Sequence, residues 1–191
     1  MTTGSWLVAI DMQRIFGEPS SQWFTPRYAE ASAGVARLRE SFGERVAFTR
    51  FLAPSTPTGA WVPYYEQWPF ALDRETLPLY DLMPEFALEV PPVGRAVLVD
   101  RTTFGKWDAD MRASLAAVDE IVLTGVSTDC CVLSTALAAA DDGVRVRVVA
   151  DACAGVSDTD HQRALDALAL YGPMIEITTV DEVLADRGGA S

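Results

Sequence analysis

The stretch "EIVLTGVSTDCCVLSTALAAA", Glu120 to Ala140, changes character once, around "GVST". Before that point it is a nearly continuous apolar, β-rich run. After it come almost wholly uncharged residues that suit a buried helix. A strand running directly into a helix is the repeating unit of an α/β domain with a parallel sheet. Thr128 or Asp129 is placed to cap the helix, which puts Cys130 and Cys131 in its first turn. Unpaired backbone N–H groups there favour a thiolate, lower the thiol pKa and suit an oxyanion. Free cysteine is also a common small core residue, so position alone leaves both readings open.

The same unit recurs outward in both directions. "SWLVAID" (Ser5–Asp11), "RVAFTRF" (Arg45–Phe51), "RAVLVD" (Arg95–Asp100), "VRVRVVAD" (Val144–Asp151) and "MIEITT" (Met174–Thr179) also read as strands. "VRVRVVAD" alternates most clearly and is expected nearer an edge. Tyr28, Ala31, Val35 and Leu38 share one helical face, as do Trp107, Met111, Leu115 and Val118, and Ala164/Leu165 with Leu168. The expectation is one domain over residues 1–191, a three-layer α/β/α sandwich around a mainly parallel sheet. Right-handed crossovers put the strands' carboxyl ends on one rim, where open sheets bind ligands. Asp11, Arg101 and Cys130/Cys131 all fall at such ends. Residues 52–94 break the rhythm with proline and aromatics, as either a cover over a site or a packing surface for another subunit.

Composition narrows the partners. Fifteen basic against twenty-seven acidic residues give a net charge of −12, which repels nucleic acid and anionic membranes. A small-molecule substrate is expected instead. No run reaches the length of a membrane span, and "MTTGSWLVAID" lacks the features of a signal peptide. Three cysteines do not make a disulfide framework, so a reduced, cytoplasmic setting is expected.

"LVAIDMQRIF", "VDRTTFGKW", "GVSTDCCVLSTALAAADDGVRVRVVADACAG" and "DHQRALDAL" together resemble the isochorismatase-like cysteine hydrolases, in the right order and over nearly the whole chain. The resemblance implies a six-stranded parallel sheet, a homodimer or homotetramer, and an Asp–Lys–Cys triad. Asp11 matches the general base and Cys131, directly before Val132, the nucleophile. The backbone N–H groups of Cys130 and Cys131 match the oxyanion hole, and a cis peptide is implied between Val126 and Ser127. Arg101 stands where relatives carry the lysine. Arginine keeps the charge but does not readily release a proton, so Lys106, five residues on, is the alternative; the electrostatic role of Arg101 is preferred.

Nicotinamidases of the family hold a metal through histidines after the second strand. Here "FTRFLAPSTPTG" contains none and His161 is the only histidine of the chain, so no metal and no cofactor are expected; His161 itself reads as structural. Isochorismatases proper cleave a vinyl ether through the Asp without a thiol, so Cys131 favours hydrolysis of a C–N bond in a small carboxamide, N-carbamoyl or ureide compound through a thioester. Ether hydrolysis, and ligand binding without turnover, are the alternatives. Gln13, Arg50 and Lys106 are candidate polar contacts to substrate; Phe16, Trp61, Tyr64, Tyr65 and Trp68 are candidates for a flat pocket or lid.

Overall fold

The computed structural model describes residues 4–87 and 96–189. Its sheet has six parallel strands, β1 (Ser5–Ile10), β2 (Val46–Phe51), β3 (Val97–Arg101), β4 (Glu120–Val126), β5 (Arg145–Ala154) and β6 (Ile175–Thr178), in the order β3-β2-β1-β4-β5-β6. All six fall on predicted runs, with ends displaced by a few residues. Arg95, predicted to open β3, lies outside the described residues. β5 runs to Ala154 and sits one strand in from the edge, which β6 forms.

β1 is buried along its whole length because both faces are covered. Leu7 and Ala9 point into one core and Trp6, Val8 and Ile10 into the other, the alternation of a pleated strand. The first core is closed by α2 (Tyr28–Phe42) and α7 (Val180–Gly188), the second by α4 (Ala109–Ser114), α5 (Leu133–Asp141) and α6 (Asp158–Ala169). The predicted faces of α2 and α6 are buried. α4 is shorter than its pattern suggested: Leu115 and Val118 lie beyond its end, yet both are buried.

Between β1 and α2 lies a short α1 (Arg14–Gly17). Residues 52–87 hold α3 (Trp61–Gln67) and 3₁₀ turns at Pro69–Leu72, Arg74–Tyr80 and Pro84–Phe86. Tyr65, Ala71, Tyr80 and Phe86 are buried in the core that contains Phe48 and Phe51 of β2. Each buried aromatic removes enough apolar surface to contribute about 2–3 kcal/mol, so this segment is a packed part of the domain. Among the described residues no helix is long and apolar enough to cross a membrane.

Candidate active site

The chain leaves β1 toward β2 and β3, then returns to lay β4 on the other side of β1. β1 and β4 are paired from Ser5–Glu120 to Ile10–Gly125, and the crevice beyond their carboxyl ends is the switch point of the sheet. Gly125 makes the approach possible. Its φ is +104°, and a Cβ there would stand 2.2 Å from the Ile10 carbonyl oxygen, so only glycine fits. One residue further on, the Val126–Ser127 peptide is cis, as the family resemblance implied.

Asp11 follows β1 with φ of +50°, a conformation that L-residues with a side chain seldom adopt and that recurs at functional sites. Thr49 of β2 fixes it twice: the Thr49 hydroxyl donates to Asp11 Oδ1 at 2.6 Å and accepts from the Asp11 N–H at 3.1 Å. Oδ2 faces Lys106 Nζ at 3.0 Å, with both side chains wholly buried. Oδ2 has no aligned hydrogen bond, which leaves a lone pair for a proton from elsewhere. Lys106 is itself held in place. Its Nζ donates to the Thr103 carbonyl at 2.6 Å and lies 4.9 Å from the centre of the Phe51 ring, and its N–H donates to Thr135 Oγ1 at 3.0 Å. The Thr135 hydroxyl in turn donates to the Cys131 carbonyl at 2.6 Å, tying the lysine to the cysteine turn.

Arg101, preferred from the sequence as the partner of Asp11, is elsewhere. Its guanidinium makes paired 2.7 Å bonds to Asp108 and a 2.8 Å bond to the Asp100 carbonyl, partly exposed at the end of β3. The Thr102–Phe104 bend carries the chain back so that Lys106, five residues later, supplies the buried cation. The assignment of the positive charge to Arg101 is therefore corrected to Lys106.

The cysteines also differ from expectation in their setting. Thr128–Val132 forms a π-type turn ahead of α5, with Ser127 rather than Thr128 or Asp129 at its cap position. Cys131 is buried and Cys130 half-buried. Burial pushes the Cys131 thiol well above its ordinary range; the Asp11 charge pushes the same way, and Lys106 opposes them. The shift is thus opposite to the lowered pKa expected of a helix start. The Cys130 N–H already donates to Ser127 O at 3.2 Å, so it serves an oxyanion only by sharing that bond. Asp129 accepts from the Val156 N–H at 2.9 Å, and Thr128 Oγ1 lies 2.8 Å from His161 Nδ1. His161, in the first turn of α6, therefore braces this turn, and burial lowers its pKa.

A cavity of about 560 Å³ opens onto Ser127, Cys130 and Cys131. Its walls include Phe16, Trp23, Phe24, Phe51, Tyr64, Trp68 and Phe104. Trp23 is the hub, 5.1–6.2 Å from the rings of Phe16, Phe51, Tyr64, Trp68 and Phe70. Of the aromatics expected from the sequence, Phe16, Tyr64 and Trp68 line the cavity, and Trp61 and Tyr65 do not. Trp61 backs Tyr64 and Phe104 at 5.2 and 5.0 Å, and Tyr65 is core. Trp23, Phe24, Phe51 and Phe104 were missed; "QWF" inside a proline- and serine-rich stretch was the available signal for the first two.

Gln13 and Arg50 are not substrate contacts either. Gln13 is wholly buried; its amide donates to the Phe51 and Tyr80 carbonyls at 2.9 and 2.6 Å and accepts from the Phe51 N–H at 2.8 Å. Arg50 is held by two 2.8 Å bonds to Asp100 and a longer one to Asp81. Among the described residues no three His, Cys, Asp or Glu side chains form a set able to hold a metal ion.

A family model described as "Isochorismatase domain" matches residues 5–182. Isochorismatase domain-containing protein 2 of Xenopus laevis is 36% identical over 87 residues, 44% of this chain and 42% of that protein. Isochorismatase domain-containing protein 1 of Danio rerio is 36% identical over 99 residues, 50% of this chain and 34% of that protein. The matches thus span less than half the length of either relative. A crystal structure of a cysteine hydrolase from Pseudomonas syringae pv. phaseolicola superposes with a TM-score of 0.83 at 22% identity, covering 98% of this chain and 93% of that one. N-carbamoylsarcosine amidase from Thermoplasma acidophilum gives 0.70 at 19% identity, covering 93% and 97%. At these identities the structural likeness concerns the fold.

Proposed function

Because the chain belongs to the isochorismatase family, we propose that it is a cysteine hydrolase that cleaves the C–N bond of a small carboxamide, N-carbamoyl or ureide compound. The observation that carries this reading is a buried Asp11–Lys106 pair beside the buried Cys131 thiol, at the floor of a cavity. Asp11 Oδ2 takes the thiol proton as Sγ attacks the substrate carbonyl carbon. Backbone N–H groups of the cysteine turn receive the resulting oxyanion. The proton passes from Asp11 to the leaving nitrogen, the C–N bond breaks and a thioester remains. Asp11 then deprotonates a water that attacks the thioester, and the acid and the free thiol are released. Lys106 holds Asp11 in place and offsets the negative charge that gathers between carboxylate and thiolate.

The test is intact-protein mass spectrometry after brief exposure to a panel of small amides and ureides with acid quenching, ammonia being measured in parallel. The expected result is an acyl adduct and ammonia release in the wild type and in Cys130→Ala, and neither in Cys131→Ala. Ammonia release that survives Cys131→Ala would overturn the assignment.

A further inference from the structure

The cavity above Cys131 is unusual in its charge. Seven aromatic rings line it, and its other side chains include Gln22, Thr25 and Asp129 but no Lys, Arg or His. Two arginines at the carboxyl ends of β2 and β3 are already neutralised, Arg50 by Asp100 and Asp81 and Arg101 by Asp108. Lys106 is wholly buried, paired with Asp11, and is not part of the wall. The one ionisable carboxyl on the wall, Asp129, is fixed there by the Val156 N–H, and the chain as a whole carries −12.

A carboxylate entering such a space loses its water without gaining a cationic partner, and it meets a like charge. A flat or branched apolar group instead gains contact with ring faces and edges. The polar end is served separately. Tyr64 lines the same cavity as Cys130 and Cys131, and burial raises the pKa of its hydroxyl, so it stays protonated and is available as a hydrogen-bond donor to a bound carbonyl.

Resting on the hydrolase reading above, we infer that the substrate is an electrically neutral amide with an apolar acyl group, and that the cavity discriminates against carboxylate-bearing substrates. The same property acts on the product. Hydrolysis of R–CO–NH₂ by one water yields R–COO⁻ and ammonium, so a neutral molecule enters and an anion forms within a wall that disfavours it. Product release is thereby assisted, and the acid is a poor inhibitor.

The test uses a matched pair, 4-methylbenzamide and 4-carbamoylbenzoate, which share a ring and a carboxamide and differ in one charged group. Ammonia release is measured with the wild type. Binding is measured with Cys131→Ala by quenching of tryptophan fluorescence, to which Trp23 and Trp68 on the wall contribute. The expected preference for the neutral member is about a hundredfold or more in binding and in kcat/KM. 4-Methylbenzoate, the corresponding acid, is expected to bind at least tenfold more weakly than its amide. Equal binding of the two members, a preference for the carboxylate, or binding of neither overturns the inference. Binding of the neutral amide with neither adduct nor ammonia from the wild type leaves the cavity assignment standing and overturns the hydrolase reading.

Discussion

Lys106 Nζ and Asp11 Oδ2 stand 3.0 Å apart with no exposure of either side chain, while Arg101, at the end of β3, pairs with Asp108 at the surface. The two cations are five residues apart and have opposite standing in the molecule. One neutralises a buried charge; the other neutralises a solvated one.

Lys106→Met therefore leaves Asp11 uncompensated in the interior, a change that costs about 3–5 kcal/mol. Arg101→Ala removes a partly exposed pair whose contribution is about 1 kcal/mol or less. Urea denaturation of both variants separates the two assignments, and acyl-adduct formation is expected to be lost only in Lys106→Met. Loss of the adduct in Arg101→Ala, with retention in Lys106→Met, would restore the assignment made from the sequence.

Asp11→Asn should dissociate the thiol's charge state from turnover. Burial raises the Cys131 pKa most, and the Asp11 charge raises it further against the opposing Lys106. Removing that charge frees Lys106 to act alone on the sulfur. The thiolate titration, followed by absorbance at 240 nm or by iodoacetamide rate against pH, should move down while turnover falls about a hundredfold or more. A titration that stays in place would mean that burial alone governs the thiol.

Gln13→Leu tests whether this residue is scaffold. The substitution strands the Phe51 N–H and the Phe51 and Tyr80 carbonyls, each of which now pairs with the Gln13 amide. With about 1–3 kcal/mol for each buried group left unpaired, the loss in stability should be several kcal/mol, with KM unchanged in the protein that folds. A raised KM at unchanged stability would make Gln13 a substrate contact after all.

Alkaline pH should weaken the fold through its thiols. Burial pushes the Cys153 pKa above its ordinary value of 9.0, and Cys131 moves the same way. The native state then holds a proton that the unfolded chain releases. The stability this provides is complete below about pH 9 and falls as pH rises from there, by up to about 1.4 kcal/mol per pH unit for each group. Between pH 8 and 10 the urea midpoint should fall less in Cys153→Ala than in the wild type; parallel slopes would exclude a contribution from Cys153.

The sheet was legible because its strands are buried on both faces and so are written as continuous apolar runs, "EIVLTGV" most clearly. The rim positions of Asp11 and of the Cys130/Cys131 pair were legible for the same reason, since strand ends locate the rim; the choice of Cys131 within the pair came only from the family resemblance. α7 was overlooked although "TVDE" carries a reciprocal capping box between Thr179 and Glu182. The exchange of Arg101 for Lys106 was hidden because a three-residue bend decides it, and no period marks which of two nearby cations turns inward. Gln13 and Arg50 were misread for a related reason. Polar residues near a strand end look alike in sequence whether they face a ligand or satisfy neighbouring backbone and carboxylates.

One consequence follows from the strand order. Asp11 comes from the part of the chain that builds β1 to β3, and Cys131 from the part that builds β4 to β6, with β1 and β4 as the seam between them. Cut at the loop before β4, near Ala117, the chain would yield two fragments, one holding Asp11 and the other Cys131. On the hydrolase activity proposed above, ammonia release from the mixed fragments would then count reassembled molecules one by one, and the protein would serve as its own reporter of whether two polypeptides have met.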